Sequence, residues 1–267
     1  MIIWGSVGIV ARFIPYSSKI IVFYRVLFAF ITLAGYVIIK NDYEFNLDKN
    51  NELIIIGAGI FLALNWLFFF RAIKTTTIAN ATISYYTSPI ILNVLAIIIL
   101  KEKLRKKTIV SLLFGFLGMI FIIYNNGGGL SSTQYSGIIY GVIAAFFYAL
   151  FAITNKKIKG LNSLQATFIQ SGIASLSFIP FILPLTVPDL KSIILLIIMG
   201  IFHTALALFL YVSGLKKVKA QSAGVLSYID PLSAVVLAAV FLGEIPSLLT
   251  IIGAIFILGS GYILLRN

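Results

Sequence analysis

Apolar runs follow one another along the whole chain, separated by short polar or charged segments, and all but the first are near the length needed to cross a bilayer. A transmembrane helix needs about 20 predominantly apolar residues. The first run, Ile2–Ile14, reaches only ~20 Å at ~1.5 Å per residue, against a hydrocarbon core of ~30 Å. Either its true start lies upstream or the first helix is unusually short. The pattern predicts ten transmembrane helices, over residues 2–14, 19–39, 53–73, 78–100, 108–124, 137–155, 164–183, 192–215, 220–242 and 248–265.

Composition supports a membrane protein, because 60% of the residues are hydrophobic and only 10% are charged. Soluble domains carry roughly a quarter charged residues. The absence of cysteine excludes disulfides, thiol catalysis and cysteine metal sites. One histidine and eight acids leave few metal ligands, so we expect no metal and no cofactor. A net charge of +12 could indicate nucleic-acid binding. We favour a role in membrane topology, and we expect no nucleic acid as a partner.

The basic residues segregate when alternate connecting segments are assigned to opposite sides of the membrane. Lys and Arg concentrate on the cytoplasmic side of membrane proteins. The segregation therefore places both termini in the cytoplasm. The smaller group is Arg12, Lys19, Lys74 and Lys191, while Arg25 and Arg71 fall inside or at the edge of spans. The larger group is Lys40, Lys49, Lys101, Lys103, Arg105, Lys106, Lys107, Lys156, Lys157, Lys159, Lys216, Lys217, Lys219 and Arg266.

The chain contains an internal repeat with an offset of 142 residues and no gap. Apolar matches are common in such a sequence, but matched proline, tyrosine and glutamate residues in one frame are not. A five-span unit is odd in number, so the second copy must insert upside down. The connection at 101–107 carries five basic residues and its counterpart at 243–249 carries none, which agrees with inversion. Matched pairs include Lys74 with Lys216, Tyr86 with Tyr228, Pro89 with Pro231 and Glu102 with Glu244.

Several short motifs resemble those of the drug/metabolite transporter superfamily, specifically the EamA-like ten-helix permeases. They are Trp4-Gly5-Ser6, Tyr24-Arg25, and two copies of a segment with a proline, an apolar run and a glutamate, at 79–102 and 220–244. Asp230 stands before the second proline, where such families usually have an acid. Lys101 departs from the family pattern, which usually has glycine there. The resemblance covers essentially the whole chain and implies a ten-helix bundle around a central cavity.

We therefore expect an all-α membrane protein with about ten transmembrane helices in two inverted five-helix repeats. Residues 1–125 would form the first EamA-like repeat, with transmembrane helices 1–5, and residues 126–267 the second, with helices 6–10. Gly127-Gly128-Gly129 lacks the lysine and the strand–helix context of a phosphate loop, so we interpret it as the connector between the repeats. The expected location is the cytoplasmic (inner) membrane of a prokaryote.

Asp230 is the sharpest candidate for substrate binding, because it lies about ten residues into the ninth span. A carboxylate near mid-bilayer costs roughly 2.5–3.5 kcal/mol on insertion scales, so it must face a cavity or a partner. It could bind a cationic group or carry a proton; the alternative is a structural hydrogen bond to a neighbouring helix. Ser227 and Ala234 lie on the same helix face and leave room for a ligand.

Pro89 and Pro231 interrupt the backbone hydrogen bonds of two spans and free carbonyl groups. They could serve as hinges or substrate ligands, or they could fix a kink that shapes packing. Glu102 and Glu244 stand at span ends on opposite sides. They could latch a gate by pairing with a basic residue, although we favour interfacial anchoring for both.

Arg25 lies some seven residues into the second span. It could attract a carboxylate or phosphate, or it could snorkel to the outer interface. Ser88, with Asn80 and Ser84, forms a polar stripe on the fourth span, which we interpret mainly as contact between helices with some cavity exposure.

A polar and aromatic stripe recurs in both halves of the chain. His203, Ala207 and Tyr211 lie one helical turn apart, and their repeat counterparts are Phe61, Asn65 and Phe69. The match suggests cavity lining, and Trp4 and Tyr148 are expected to pair similarly across the repeats. A lone intramembrane histidine is more often a hydrogen-bond partner between helices than a ligand. Ser88 corresponds to Asp230 and Phe61 to His203, and at these asymmetric positions we expect substrate choice to lie.

The sequence favours a secondary transporter over an enzyme. No P-loop is present, so ATP is not the direct energy source. One histidine and one mid-membrane acid are too few for an intramembrane enzyme. We expect a small-molecule substrate and the lipid bilayer as partners, with an amino acid or a related amine or drug-like solute as substrate and export as the direction. A lipid-carrier flippase or sugar-phosphate exchanger of the same superfamily is the alternative. Proton coupling, facilitated diffusion, and a monomer or homodimer all remain open.

Overall fold

The computed structural model describes residues 1–42, 44–45, 47–76, 78–124, 132–183, 186–242 and 247–265, and every regular element within these ranges is helical. The predicted connector at 127–129 lies outside them. The elements of the first half are α1 (Ile2–Gly5), α2 (Val7–Arg12), α3 (Ser18–Ile39), α4 (Lys49–Thr75), α5 (Ile78–Tyr85), α6 (Ser88–Leu100) and α7 (Lys106–Tyr124).

The second half repeats this order. A π-helix over Met199–Leu206 joins two of its helices into one continuous span, and a 3₁₀ turn covers Ile179–Phe181. Its α-helices are α8 (Ser132–Lys157), α9 (Ser163–Phe178), α10 (Leu190–Ile198), α11 (Ala207–Lys217), α12 (Ala220–Leu226), α13 (Ile229–Leu242) and α14 (Leu248–Leu265).

Hydropathy and length agree with a multi-pass membrane protein. Some apolar helices are shorter than a full span, among them Ser88–Leu100 and Leu248–Leu264. The described helices long and apolar enough to cross a bilayer unaided are Ser18–Ile39, Lys49–Thr75, Tyr135–Lys157, Leu190–Lys217 and Ala220–Phe241.

The helix boundaries follow the predicted repeat frame. Adding 142 to the bounds of α4 gives 191–217, and α10, the π-helix and α11 together run from Leu190 to Lys217. The same shift carries α5, α6 and α7 onto α12, α13 and α14 to within about one residue at each end. The expected fold, with two inverted five-helix repeats and about ten transmembrane helices, is thus confirmed.

Two of the predicted spans are broken in the middle, each just before its proline. α5 ends at Tyr85 and α6 begins at Ser88, so Pro89 lies in the first turn of α6. Likewise, α12 ends at Leu226 and Pro231 lies in the first turn of α13. Proline is tolerated in a first turn because the N–H groups there have no intrahelical partner. The prolines therefore start new helices inside the membrane.

Small residues let α7 and α14 approach closely along their length. A Cβ placed on Gly118 would lie 2.6 Å from the carbonyl oxygen of Gly253, closer than van der Waals contact allows. Ser111 is fully buried, and Ile257 is nearly so. Packing of this kind is typical of membrane helices, whose association depends on close backbone approach.

The two repeats meet asymmetrically. α6 packs along α12, whereas their symmetry mates, α13 and α5, make at most marginal contact among the described residues. α1 packs against α13 at Gly5, where an added Cβ would lie 2.8 Å from the backbone nitrogen of Ala234. The two broken spans are therefore in closer contact at the α6–α12 end than at the α5–α13 end.

Aspartates cap helices on both sides of the bundle. Asp48 accepts a bond from the backbone N–H of Asn51 at the start of α4, and Asp189 accepts one from Ser192 at the start of α10. Because these bonds favour the ionised carboxylate, the pKa of each aspartate is lowered. Both helix starts are thereby fixed outside the apolar part of the spans.

Candidate functional site

Asp230 lies in the first turn of α13, directly after the break in its span. Its backbone N–H donates to the carbonyl of Ser227 at 3.1 Å, which closes the turn between the two helix segments. The carboxylate lies deep in the bundle and yet keeps intermediate exposure. The positive end of the α13 dipole stabilises a negative charge at this point. The acid thus lies at a helix start inside the bundle.

The Tyr86 phenol lies close to the Asp230 carboxylate, within range of an electrostatic interaction. The neighbouring Tyr85 and the more distant Tyr148 also lie within electrostatic range of the carboxylate. Tyr86 and Tyr228, which are repeat counterparts, approach each other with ring centroids 6.4 Å apart. Asp230 therefore has aromatic neighbours from both repeats.

A continuous aromatic cluster leads away from Asp230; it consists of Trp4, Tyr85, Tyr86, Tyr148 and Tyr211. Ring centroids are 5.6 Å apart between Tyr85 and Tyr86, 6.0 Å between Tyr85 and Tyr148, 5.9 Å between Tyr148 and Tyr211, and 5.2 Å between Tyr211 and Trp4. Aromatic faces attract cations. The cluster and the acid together form a setting that suits a positively charged group.

Several buried hydroxyls of this region have no well-formed hydrogen bond within the described part of the chain. They belong to Tyr148, Tyr211 and Tyr228. The phenols of Tyr148 and Tyr211 face each other, at more than the distance of a good hydrogen bond. A buried polar group without a partner is costly, so the two hydroxyls that belong to the aromatic cluster, those of Tyr148 and Tyr211, are candidates for contact with a polar ligand.

Asn65 holds the cluster from α4. It is 2% exposed, and its side-chain amide donates to the carbonyl of Ala144 at 2.9 Å and to the phenol oxygen of Tyr85 at 3.4 Å. Asn65 thus connects α4 to α8 and orients Tyr85. Asn65 is connected to the aromatic cluster by its bond to Tyr85. Its direct contact with substrate stays a prediction.

His203 lies in the π-helix and bonds to the first helical segment of the chain. Its ring nitrogen Nε2 is 2.8 Å from the Ser6 hydroxyl, and its backbone carbonyl accepts from the Trp4 indole at 2.9 Å. π-helical turns occur frequently at functional sites. The structure therefore places His203 beside the aromatic cluster, in the role of a contact between helices.

Arg25 is 2% exposed and does not reach the surface. Its guanidinium carbon lies 4.7 Å from the centre of the Trp66 ring, and its Nε donates to the Thr204 hydroxyl at 3.0 Å. A weaker bond of 3.4 Å reaches the carbonyl of His203. Arg25 thus joins α3, α4 and the π-helix. A side chain that snorkels to the interface would not make these buried contacts.

The two predicted serines lie at the two helix breaks. Ser88 is the first residue of α6 and is buried. Ser227 is also buried, and its hydroxyl donates to the carbonyl of Gly224 at 2.7 Å. The repeat counterpart of Ser88 is Asp230, so the two equivalent helix starts differ by a charge.

Glu102 caps a helix of the opposite repeat. Its carboxylate accepts from the backbone N–H groups of Ala220 at 3.0 Å and of Gln221 at 3.3 Å, at the start of α12. Lys101 adopts a left-handed conformation, with φ of 55°, which turns the chain toward this contact. Glu102 therefore contacts a helix N-terminus, whereas the latch hypothesis requires a basic side chain. Glu244 lies outside the described residues.

Sequence reasoning missed Tyr85 and Tyr86 as members of the site. The matched pair of Tyr86 and Tyr228 was visible in the repeat frame, but the apolar surroundings of both gave no sign that Tyr86 faces Asp230. Tyr85 had no such signal, since its repeat counterpart is Ser227.

Comparison with known proteins identifies the family. The EamA-like transporter family matches residues 1–124 and again residues 135–266. An uncharacterized transporter of Bacillus subtilis, YxxF, is 31% identical over 96% of this chain and 84% of its own length. An uncharacterized transporter of Archaeoglobus fulgidus is 25% identical over 100% of this chain and 93% of its own.

Two further similarities are to a transporter with a named substrate and to a solved structure. The S-adenosylmethionine uptake transporter of Rickettsia bellii is 24% identical over 89% of this chain and 80% of its own length. A solved crystal structure superposes with a TM-score of 0.85 at 18% identity, over 98% of this chain and 92% of the other, which shows a shared fold. With the family profile matched in both halves, this chain belongs to the EamA-like transporter family and is a multi-pass membrane transporter.

Proposed function

We propose that the protein is a secondary transporter that exports a small solute with a cationic amino group, such as an amino acid or a drug-like amine, across the cytoplasmic membrane of a prokaryote. The observation that carries the proposal is the position of Asp230, at a helix break and facing Tyr86. A deep carboxylate is costly in a membrane, so a bound cation is the natural counter-charge.

The aromatic cluster supports a cation over an anion. A cation against an aromatic face gains about 0.5–1 kcal/mol when exposed and about 2 kcal/mol when desolvated. Arg25, the deep basic group, is already engaged by Trp66 and Thr204. A sugar-phosphate exchanger would need basic groups that are open to its substrate, so the geometry favours the amine.

Alternating access follows from the inverted repeats. Because Lys101 and the lysines before Ala220 belong to the basic side predicted to be cytoplasmic, the close contact of α6 with α12 would shut the cytoplasmic path. The symmetry-related contact of α13 with α5 would form when the outer path shuts. In this reading the two repeats exchange conformations around Asp230.

Transport by purified protein in liposomes tests the proposal. We expect saturable uptake of radiolabelled amines or amino acids, with S-adenosylmethionine, nucleosides and sugar phosphates in the same panel. Asp230→Asn should raise the half-saturation concentration about thirtyfold, because losing one partner of a buried charge pair costs about 2 kcal/mol or more. Asp189→Asn is the matched control, since asparagine keeps the capping role. Transport of sugar phosphates alone, unaffected by Asp230→Asn, would overturn the proposal.

The energy source is tested with the same variant. If Asp230 carries the coupling proton, Asp230→Asn loses accumulation driven by a pH gradient but keeps substrate exchange between the two sides. Gradient-driven accumulation that is unchanged in the variant would exclude Asp230 as the proton carrier and leave facilitated diffusion as the mechanism.

A further inference from the structure

A groove of about 630 Å³ opens on the surface away from the aromatic cluster. It lies between the end of α3, the start of α9 and the end of α11. Three lysines line it: Lys40, Lys216 and Lys217. Lys40 and Lys217 are exposed, and Lys216 is half-buried and donates to the carbonyl of Leu161 at 2.7 Å. The groove thus gathers positive charge from two helix ends.

One acid in the groove, Asp42, is engaged by neighbouring amides. Its carboxylate accepts from the side chains of Asn162 at 2.6 Å and Gln165 at 2.7 Å. These bonds tie the segment after α3 to the start of α9. The lysines outnumber this acid, so the groove is basic overall.

The inner part of the groove is apolar. Leu164 and Phe209 line it, and they belong to a cluster that contains Leu33, Val37 and Ala205. Tyr36, which is 47% exposed, forms part of the wall. The groove thus has basic side chains at the helix ends and apolar side chains further along the helices. A phospholipid has the same order, with a charged headgroup followed by apolar acyl chains.

From this arrangement we propose that the groove binds the phosphate of an anionic phospholipid of the surrounding leaflet, with the acyl chains along α3 and α11. All three lysines belong to the basic side of the membrane, and basic pockets between helices on that side are a known type of anionic-lipid site. The source of the phosphate is the lipid, since the apolar wall would gain nothing from a soluble anion.

Native mass spectrometry of the delipidated full-length protein, with added phosphatidylglycerol or phosphatidylcholine, measures the binding. We expect tighter binding of phosphatidylglycerol. Lys40→Gln with Lys217→Gln should weaken it about thirtyfold, since each lysine near an anionic surface accounts for about fivefold in affinity. The matched control is Lys103→Gln with Lys157→Gln, which removes the same charge from the same side outside the groove and should change affinity less than threefold.

A second variant fills the groove without changing its charge. Ser213 lines the groove, and Ser213→Phe should block phosphatidylglycerol as strongly as the loss of the lysines. Equal weakening in both double variants would overturn the proposal, because it would indicate general surface attraction. Equal affinity for phosphatidylcholine, or displacement of the lipid by millimolar inorganic phosphate, would overturn it as well.

Discussion

The contact between Glu102 and the start of α12 predicts a measurable shift between two conformations. The perturbation is Glu102→Gln, which removes the charge and leaves one neutral oxygen where two oxygens accept from Ala220 and Gln221. Hydrogen bonds to a charged group contribute about 1.5–3 kcal/mol. We expect a loss of about 1.5–2 kcal/mol from the closed state, which is about a ten- to thirtyfold change in the ratio of closed to open molecules.

Thiol labelling measures this ratio, because the chain contains no native cysteine. Ser88→Cys places one thiol at the buried start of α6. In inside-out vesicles, Glu102→Gln should raise the labelling rate with a membrane-impermeant maleimide about ten- to thirtyfold. In right-side-out vesicles the rate should fall or stay the same, because opening one path of an alternating-access transporter closes the other.

The control is Glu52→Gln, which removes an acid from the first turn of α4 at an exposed position. It should leave both labelling rates within twofold of the parent. A cytoplasmic labelling rate that is unchanged in Glu102→Gln, or equally raised in Glu52→Gln, would refute the idea that Glu102 holds α6 and α12 together.

Other predictions concern stability and affinity. Arg25→Lys should lower the free energy of unfolding by about 2–3 kcal/mol, because lysine cannot both stack on an aromatic ring and reach the Thr204 hydroxyl; thermal denaturation measures it, and an unchanged midpoint would contradict it. Gly118→Ala should destabilise by about 1–3 kcal/mol through its clash with α14, while Gly35→Ala, whose Cβ meets open space, should stabilise slightly; the reverse order of melting temperatures would be inconsistent with the packing described. Tyr148→Phe removes a buried hydroxyl without a good partner, so stability should hold while the half-saturation concentration for substrate rises about tenfold; equal affinity would assign the hydroxyl no role in binding.

The sequence was sufficient to predict the helices and their repeat, because hydropathy and charge act on each span separately. The frame of 142 residues predicted even the positions of the two helix breaks, through the paired Pro89 and Pro231. What it could not predict is which side of each helix faces inward. In a membrane the lipid-facing side is as apolar as the core, so periodicity does not separate the two.

The candidate site shows where this limit lies. The prediction of Asp230 rests on its charge, because a carboxylate deep in a membrane must face a cavity or a partner. Tyr86 was not assigned to the site because its contact with Asp230 depends on how two repeats pack across the bundle. Arg25 stands out in the sequence as a basic residue inside a span, but its stacking on Trp66 follows from the approach of α3 to α4, which no local pattern encodes.

The broken spans have a consequence for biogenesis. α12 has seven residues and ends well short of crossing the hydrocarbon core by itself, so the translocon must release it together with α13 as one segment that contains Asp230. The penalty for that carboxylate is reduced when Tyr86 and α1, made earlier, are already in place to receive it. The order of synthesis therefore suits the architecture, because the first repeat is made before α12 and α13 and can pack against them as they insert.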